Sequence, residues 1–125
     1  MLNSEVNKEN LNKMVVRFYT KVLSDDIVGP FFIEKLGSDL KSDEWKTHIE
    51  LLTNFWASVS IGDTEYRGNP FAPHMHLGSL SREAFTQWLV MFFEVVDSVY
   101  EPQIASFFKQ RSEIIAGNFM RNLGL

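Results

Sequence analysis

The sequence predicts an all-α chain whose main helices form two pairs, and three observations carry that prediction. Apolar residues recur at helical spacing through most of the chain. No stretch alternates apolar and polar residues as a strand would. Start and stop residues bracket the periodic stretches. Residues 8–23 place Leu11, Val15, Phe18, Tyr19 and Val22 on one broad face. DDIVGPFF follows, too broken by Gly29 and Pro30 for more than a short turn of helix. The second main helix starts after Ser42, an N-cap, with Asp43 and Glu44 in the first turn where the helix dipole favours acidic groups. Its stripe is Trp45, Ile49, Leu52, Phe55, Trp56 and Val59, and Gly62 is its stop. The third opens at Ser81, where Leu80 and Phe85 hold the positions of a hydrophobic staple, and buries Phe85, Trp88, Leu89, Phe92, Val96 and Val99. The last follows Pro102 and carries Ile104, Phe108, Ile115 and Phe119.

Composition narrows the setting. The 125 residues suit a single domain over 1–125, long enough to bury about two-thirds of the surface of the unfolded chain. Eleven Phe and three Trp supply flat apolar surface for a thick core or for a flat ligand. A formal charge of −4 argues against nucleic acid and against a polybasic membrane contact. MLNSEVNKEN lacks the apolar core of a signal peptide, and WLVMFF is the longest uninterrupted apolar run. Zero Cys removes disulfides, thiolate ligands and a cysteine nucleophile together. A soluble cytoplasmic protein is the expectation.

The connection from Gly62 to Leu80 breaks the pattern. Structureless loops beyond about 12–15 residues are uncommon in compact domains and tend to be functional or disordered. This one contains YRGNPFAPHMHLG, with two of the three histidines, His74 and His76. The third, His48, lies inside the apolar stripe of the second main helix. Tyr19 and Trp88 lie on the stripes of two other helices, each with a polar tip that needs a partner when buried. Each ring alone reads as a hydrogen-bonded core residue. Together they resemble the few convergent polar groups of an apolar ligand pocket.

These residues carry a family resemblance over nearly the whole chain. Phe18–Tyr19, GPFF at 29–32, WKTH at 45–48 and FW at 55–56 occur in order. The loop then fits Tyr-x-Gly-x-Pro-x-x-x-His-x-x-Leu through Tyr66, Gly68, Pro70, His74 and Leu77, and Trp88 follows fourteen residues after the histidine. The chain resembles the truncated haemoglobins, bacterial globins with a two-over-two helical sandwich around haem, and most closely their third group. The Gly-Gly motifs that flank the distal helix in the first two groups are absent, as is usual for the third.

The resemblance implies haem b, with His74 as proximal ligand to the iron. Pro70 and Pro73 stiffen the loop around that ring, a globin iron takes one neutral imidazole on one face, and His76 is the competitor to which the family pattern assigns no role. Tyr19 matches the distal tyrosine and Trp88 the distal tryptophan, both able to donate to a gas ligand. His48 matches the distal histidine, as gate, donor or sixth ligand. Leu52 matches the apolar residue above the iron, Phe32 the phenylalanine wedged against the porphyrin, and Phe55 and Trp56 its apolar edge. Tyr66 and Arg67 lie where the propionates should emerge, and Arg67 reads equally as a solvated arginine.

A globin that binds O2, and NO or CO, follows as the leading expectation. Its two distal donors suit slow oxygen release and redox chemistry on the ligand, such as nitric oxide dioxygenation or peroxidase-like turnover, with an unidentified reductase. A simple oxygen carrier or store and a gas sensor are rivals. Two other classes remain: a non-haem metal protein using His48, His74 and His76, and a cofactor-free helical interaction module. A His-x-His pair ordinarily relies on a strand to aim both rings the same way, and no strand is expected here.

Overall fold

Helix starts in this chain are chemically marked. In the computed structural model, which describes residues 2–63 and 81–125, they open α1 (Lys8–Leu23), α2 (Gly29–Leu36), α3 (Asp43–Ile61), α4 (Arg82–Val99) and α5 (Pro102–Asn122). Ser42 and Ser81 cap α3 and α4 as expected, their hydroxyls accepting from the N–H groups of Trp45 and Ala84 at 3.3 and 3.2 Å. Gly62 stops α3 in the left-handed region, φ 70°, with its N–H donating to the Ala57 carbonyl. The cap of α1 is reciprocal. Asn7 accepts from the Asn10 N–H at 2.9 Å, and Asn10 accepts from the Asn7 N–H at 3.1 Å.

One expectation is corrected. DDIVGPFF is more than a turn, because it leads into the eight-residue α2. The Asp25 carboxylate accepts from the N–H groups of Ile27 and Val28 at 3.0 and 2.7 Å, tying down the chain just before the helix. Gly29 lets this turn pass against the end of α1, since a Cβ there would meet the Val22 carbonyl oxygen at 2.6 Å. Pro30 stands in the first turn of the helix, where its missing N–H costs nothing and its fixed φ favours the start. Proline here initiates rather than breaks.

The helices pack as two antiparallel pairs, α1 with α3 and α4 with α5, and α1 also lies along α4. Lys21 with Glu94 (3.2 Å) and Arg17 with the Ser98 carbonyl (3.2 Å) show that α1 and α4 run in opposite directions. The core between the pairs holds Leu11, Met14, Val15, Phe18 and Val22 of α1, Trp56 and Ala57 of α3, and Phe92, Val95, Val96 and Val99 of α4. Trp56 joins the pairs, stacked on Phe92 at 5.1 Å and edge-on to Phe108 at 5.6 Å. Burying surfaces of this kind contributes about 25 cal/mol per Å2 of apolar area, so these large rings dominate the cohesion of the core.

The N-terminal segment is pinned to the corner between α4 and α5. The Asn3 N–H donates to the Val99 carbonyl at 2.9 Å, and the Glu101 N–H donates to the Asn3 carbonyl at 3.0 Å. Beside them the buried Tyr100 hydroxyl donates to Asn10 Oδ1 at 2.6 Å. This isolated bridge is the only extended pairing among the described residues. No helix among them is long and apolar enough to cross a membrane.

Candidate ligand pocket

Helical periodicity puts one hydrogen-bonding ring on the inner face of each of three helices, and their packing brings these rings to one place. Tyr19 stands on α1, His48 on α3 and Trp88 on α4. The Tyr19 ring is buried in an aromatic cage. Phe18, Phe32 and His48 meet it edge-on at 5.0, 5.3 and 5.0 Å, and Trp45 lies tilted against it at 5.1 Å. Trp45 is itself anchored, since its indole N–H donates to the Gly37 carbonyl at 2.8 Å.

The Tyr19 hydroxyl lies 3.0 Å from His48 Nε2, and this is its one hydrogen-bond partner among the described residues. Burial raises the phenol above its ordinary range by penalising the ionised form. Tyr19 is therefore a neutral hydroxyl at any physiological pH. His48 is half-buried, its ring edge-on to Trp45 at 5.5 Å and tilted to Phe32 at 6.1 Å.

Trp88 differs in one respect. Its ring is held firmly, parallel to Phe92 at 5.5 Å and edge-on to Phe18 at 5.5 Å. Its indole N–H has no hydrogen-bond partner among the described residues. The nitrogen is not among the buried polar atoms, so this donor stays open to water or to a ligand.

A narrow cavity of about 10 Å3 lies between these groups, lined by Val15, Phe18, Tyr19, Leu52, Trp56, Trp88 and Phe92. That volume is near the minimum that holds one water-sized molecule. No charged side chain among the described residues lines it. The arrangement can hold a small neutral molecule against apolar walls and offer it hydrogen bonds from one side.

The candidate residues of the sequence divide accordingly. Tyr19, Leu52, Trp56 and Trp88 share the cavity, and His48 reaches it through Tyr19. Phe32 packs behind Tyr19 and His48 as part of the cage. Phe55 is half-buried and edge-on to Trp56 at 5.3 Å. Tyr66, Arg67, His74 and His76 lie outside the described residues, as do Leu80 of the expected staple and the Pro70 and Pro73 of the loop. Val15, Phe18 and Phe92 also line the cavity; the sequence placed them on helix faces without assigning them to the pocket. Their signal was spacing, since Val15 precedes Tyr19 by one turn and Phe92 follows Trp88 by one.

No family model matches the chain. A curated protein, the group 3 truncated hemoglobin ctb of Campylobacter jejuni, is 34% identical to it over 118 residues, which cover 94% of this chain and 91% of that one. The crystal structure of a group III truncated hemoglobin from Campylobacter jejuni superposes with a TM-score of 0.90 at 35% identity, covering 98% of this chain and 95% of the other. Identity at that level over nearly the full length, with the same all-α architecture, shows the family: the chain belongs to the group 3 truncated haemoglobins.

Proposed function

We propose that residues 1–125 form one cytoplasmic globin domain that holds haem b through His74 and binds O2, with NO and CO as further ligands. Attachment is non-covalent, because the chain has no Cys for thioether links. The described half of the pocket fits such a group. Half-buried Leu52 and Phe55 on α3 offer an apolar wall, and among the described residues no charge lines the cavity and the polar ring tips are those of Tyr19, His48 and Trp88. In this reading Phe32 and Trp56 brace that wall, and Tyr66 and Arg67 meet the propionates. When bound, haem supplies a ferrous iron that takes a diatomic gas reversibly.

The observation that carries the proposal is that Trp88, whose indole N–H has no partner among the described residues, and Tyr19 line one cavity sized for one small molecule. A bound O2 draws electron density and presents lone pairs, so both groups stabilise it as donors, while CO gains little. Two donors slow oxygen release and suit redox turnover of nitric oxide or peroxide, with a reductase of unidentified kind. One observation favours the alternative of simple carriage. Tyr19 already has a partner in His48, which can take up its proton.

The test is an absorption spectrum of the protein as isolated, with two substitutions. Wild type should show a Soret band, His74→Ala should lose or badly weaken haem retention, and His76→Ala should keep the normal band. The reverse pattern would overturn the assignment of His74. A colourless protein with full helical content would overturn the haem reading.

A further inference from the structure

The seam between α1 and α4 opens at one end into a surface groove of about 410 Å3. Thr20, Lys21 and Asp25 line it from the α1 side, and Gln87, Met91 and Glu94 from α4. It is separate from the ligand cavity, yet its walls are the reverse faces of the same helices. Thr20 adjoins Tyr19 in the chain, Gln87 adjoins Trp88, and Met91 adjoins Phe92. A molecule seated in the groove is therefore parted from the cavity by the α1–α4 layer.

Charge gathers at this end of the seam. Asp26 follows Asp25, and Glu83 stands one turn before Gln87 on the same face of α4. With Glu94 they set four carboxylates against the single ammonium of Lys21, which pairs with Glu94 at 3.2 Å. Asp25 is held in place by three donors, the N–H groups of Ile27 and Val28 and the Gln87 amide at 2.9 Å. Asp26 and Glu83 are exposed and have no ion partner among the described residues. The arginines of the two helices turn elsewhere, Arg17 onto the Ser98 carbonyl at 3.2 Å and Arg82 onto the Leu125 carbonyl at 3.3 Å. The C-terminal end of α1 adds the partial negative charge of its helix dipole. Two apolar side chains border the groove: Val90, between Gln87 and Glu94 on that face of α4, is 45% exposed, and Ile27, beside the two aspartates, 38%.

We propose that this groove and its apolar border are the docking surface for a basic electron-carrier protein, one that presents lysine and arginine side chains. The proposal rests on the haem reading above and gives the reductase a place and a charge. One electron leaves the partner's reduced cofactor for ferric haem, and no bond forms or breaks. Charge selects this occupant over a second copy of the chain, which would set the same acids against one another. Apolar Val90 and Ile27 inside a charged rim match the makeup of protein interfaces. The small area fits as well, because electron-transfer encounters bury less than about 1,200 Å2 and are brief.

The first measurement maps docking by NMR on the 15N-labelled protein, with ferrous cytochrome c as a lysine-faced probe. At low salt, amide shifts should gather in residues 20–27 and 83–94. They should fade at about 0.15 M salt, where the screening length falls to about 8 Å. The second follows reduction of the ferric protein by two small donors of opposite charge, the methyl viologen radical cation and dithionite. Asp26→Lys with Glu83→Lys should slow the viologen reaction roughly tenfold at low salt and leave dithionite no slower. Glu50→Lys with Glu113→Lys, exposed acids of α3 and α5, makes the same change in net charge and should have little effect. Shifts on another face, no shifts at low salt, or a control pair that slows viologen as much as the seam pair would each overturn the proposal. So would self-association of the labelled protein through the groove. Failure of the haem reading would show instead as a protein with no Soret band, and the docking map needs no haem in this chain.

Discussion

Replacing Trp88 by Phe should cost more oxygen affinity than replacing Tyr19 by Phe, and the difference follows from what each donor already holds. The Trp88 indole N–H has no partner among the described residues, whereas Tyr19 contacts His48 at 3.0 Å. A hydrogen bond to a charged partner is worth about 1.5–3 kcal/mol, and each 1.4 kcal/mol is roughly tenfold in an equilibrium constant. Trp88 gives up no internal bond when it donates, so Trp88→Phe should speed oxygen release toward the upper end, about a hundredfold. The Tyr19 hydroxyl is already engaged with His48 at 3.0 Å, so Tyr19→Phe should lie nearer the lower end, about tenfold. Carbon monoxide release is the control. Trp88→Phe also trims the stack on Phe92, and lost packing would speed both gases, whereas a lost hydrogen bond speeds O2 far more. Because both donors serve one ligand, the double variant need not show the product of the two effects. The assay is stopped-flow displacement of O2, followed by mixing the oxygenated protein with nitric oxide. Slow release with rapid nitrate formation supports redox chemistry. Fast release from wild type, changed by neither substitution, would refute the donor reasoning and leave carriage as the better account.

The same geometry supports two further expectations. His48 is engaged with Tyr19 and caged by Phe32 and Trp45, so resonance Raman of the ferrous, ligand-free protein should show five-coordinate high-spin iron. A six-coordinate low-spin signal that vanishes in His48→Ala would assign it to the iron instead. Alkaline stability is the other. Burial raises Tyr19 and Tyr100 above the ordinary phenol value of 10.0, so the unfolded chain loses those protons first. Stability should hold below about pH 10 and fall as pH rises beyond it, read as denaturant midpoints. Tyr100→Phe should make that fall shallower while costing about 1 kcal/mol at neutral pH, because Asn10 loses the hydroxyl it accepts from.

Most of the fold was legible because most of its signals are local. Ser42 and Ser81 cap helices through bonds spanning three residues, and Gly62 stops one through its own backbone. The signals that failed are local too, but read with the wrong sign. Pro30 looks like a breaker until Gly29 and the Asp25 carboxylate are seen to close the turn before it, after which it opens α2. Asn7 and Asn10 form a capping box in which the usual Glu or Gln is replaced by a second Asn. The bond from Tyr100 to Asn10 spans ninety residues, and no periodicity reports it.

The pocket was legible to a different depth. Periodicity could say that Tyr19, His48 and Trp88 each face inward, because a helical face is a property of one segment. It could not say that Tyr19 and His48 meet, since that contact depends on how α1 is rotated against α3, nor that Trp88 meets neither. The functional consequence lies in that distinction. From sequence, Tyr19 and Trp88 read as two donors and His48 as gate, donor or sixth ligand. Among the described residues they are one donor without a partner, Trp88, and one hydrogen-bonded pair, Tyr19 with His48, so the three rings are not equivalent.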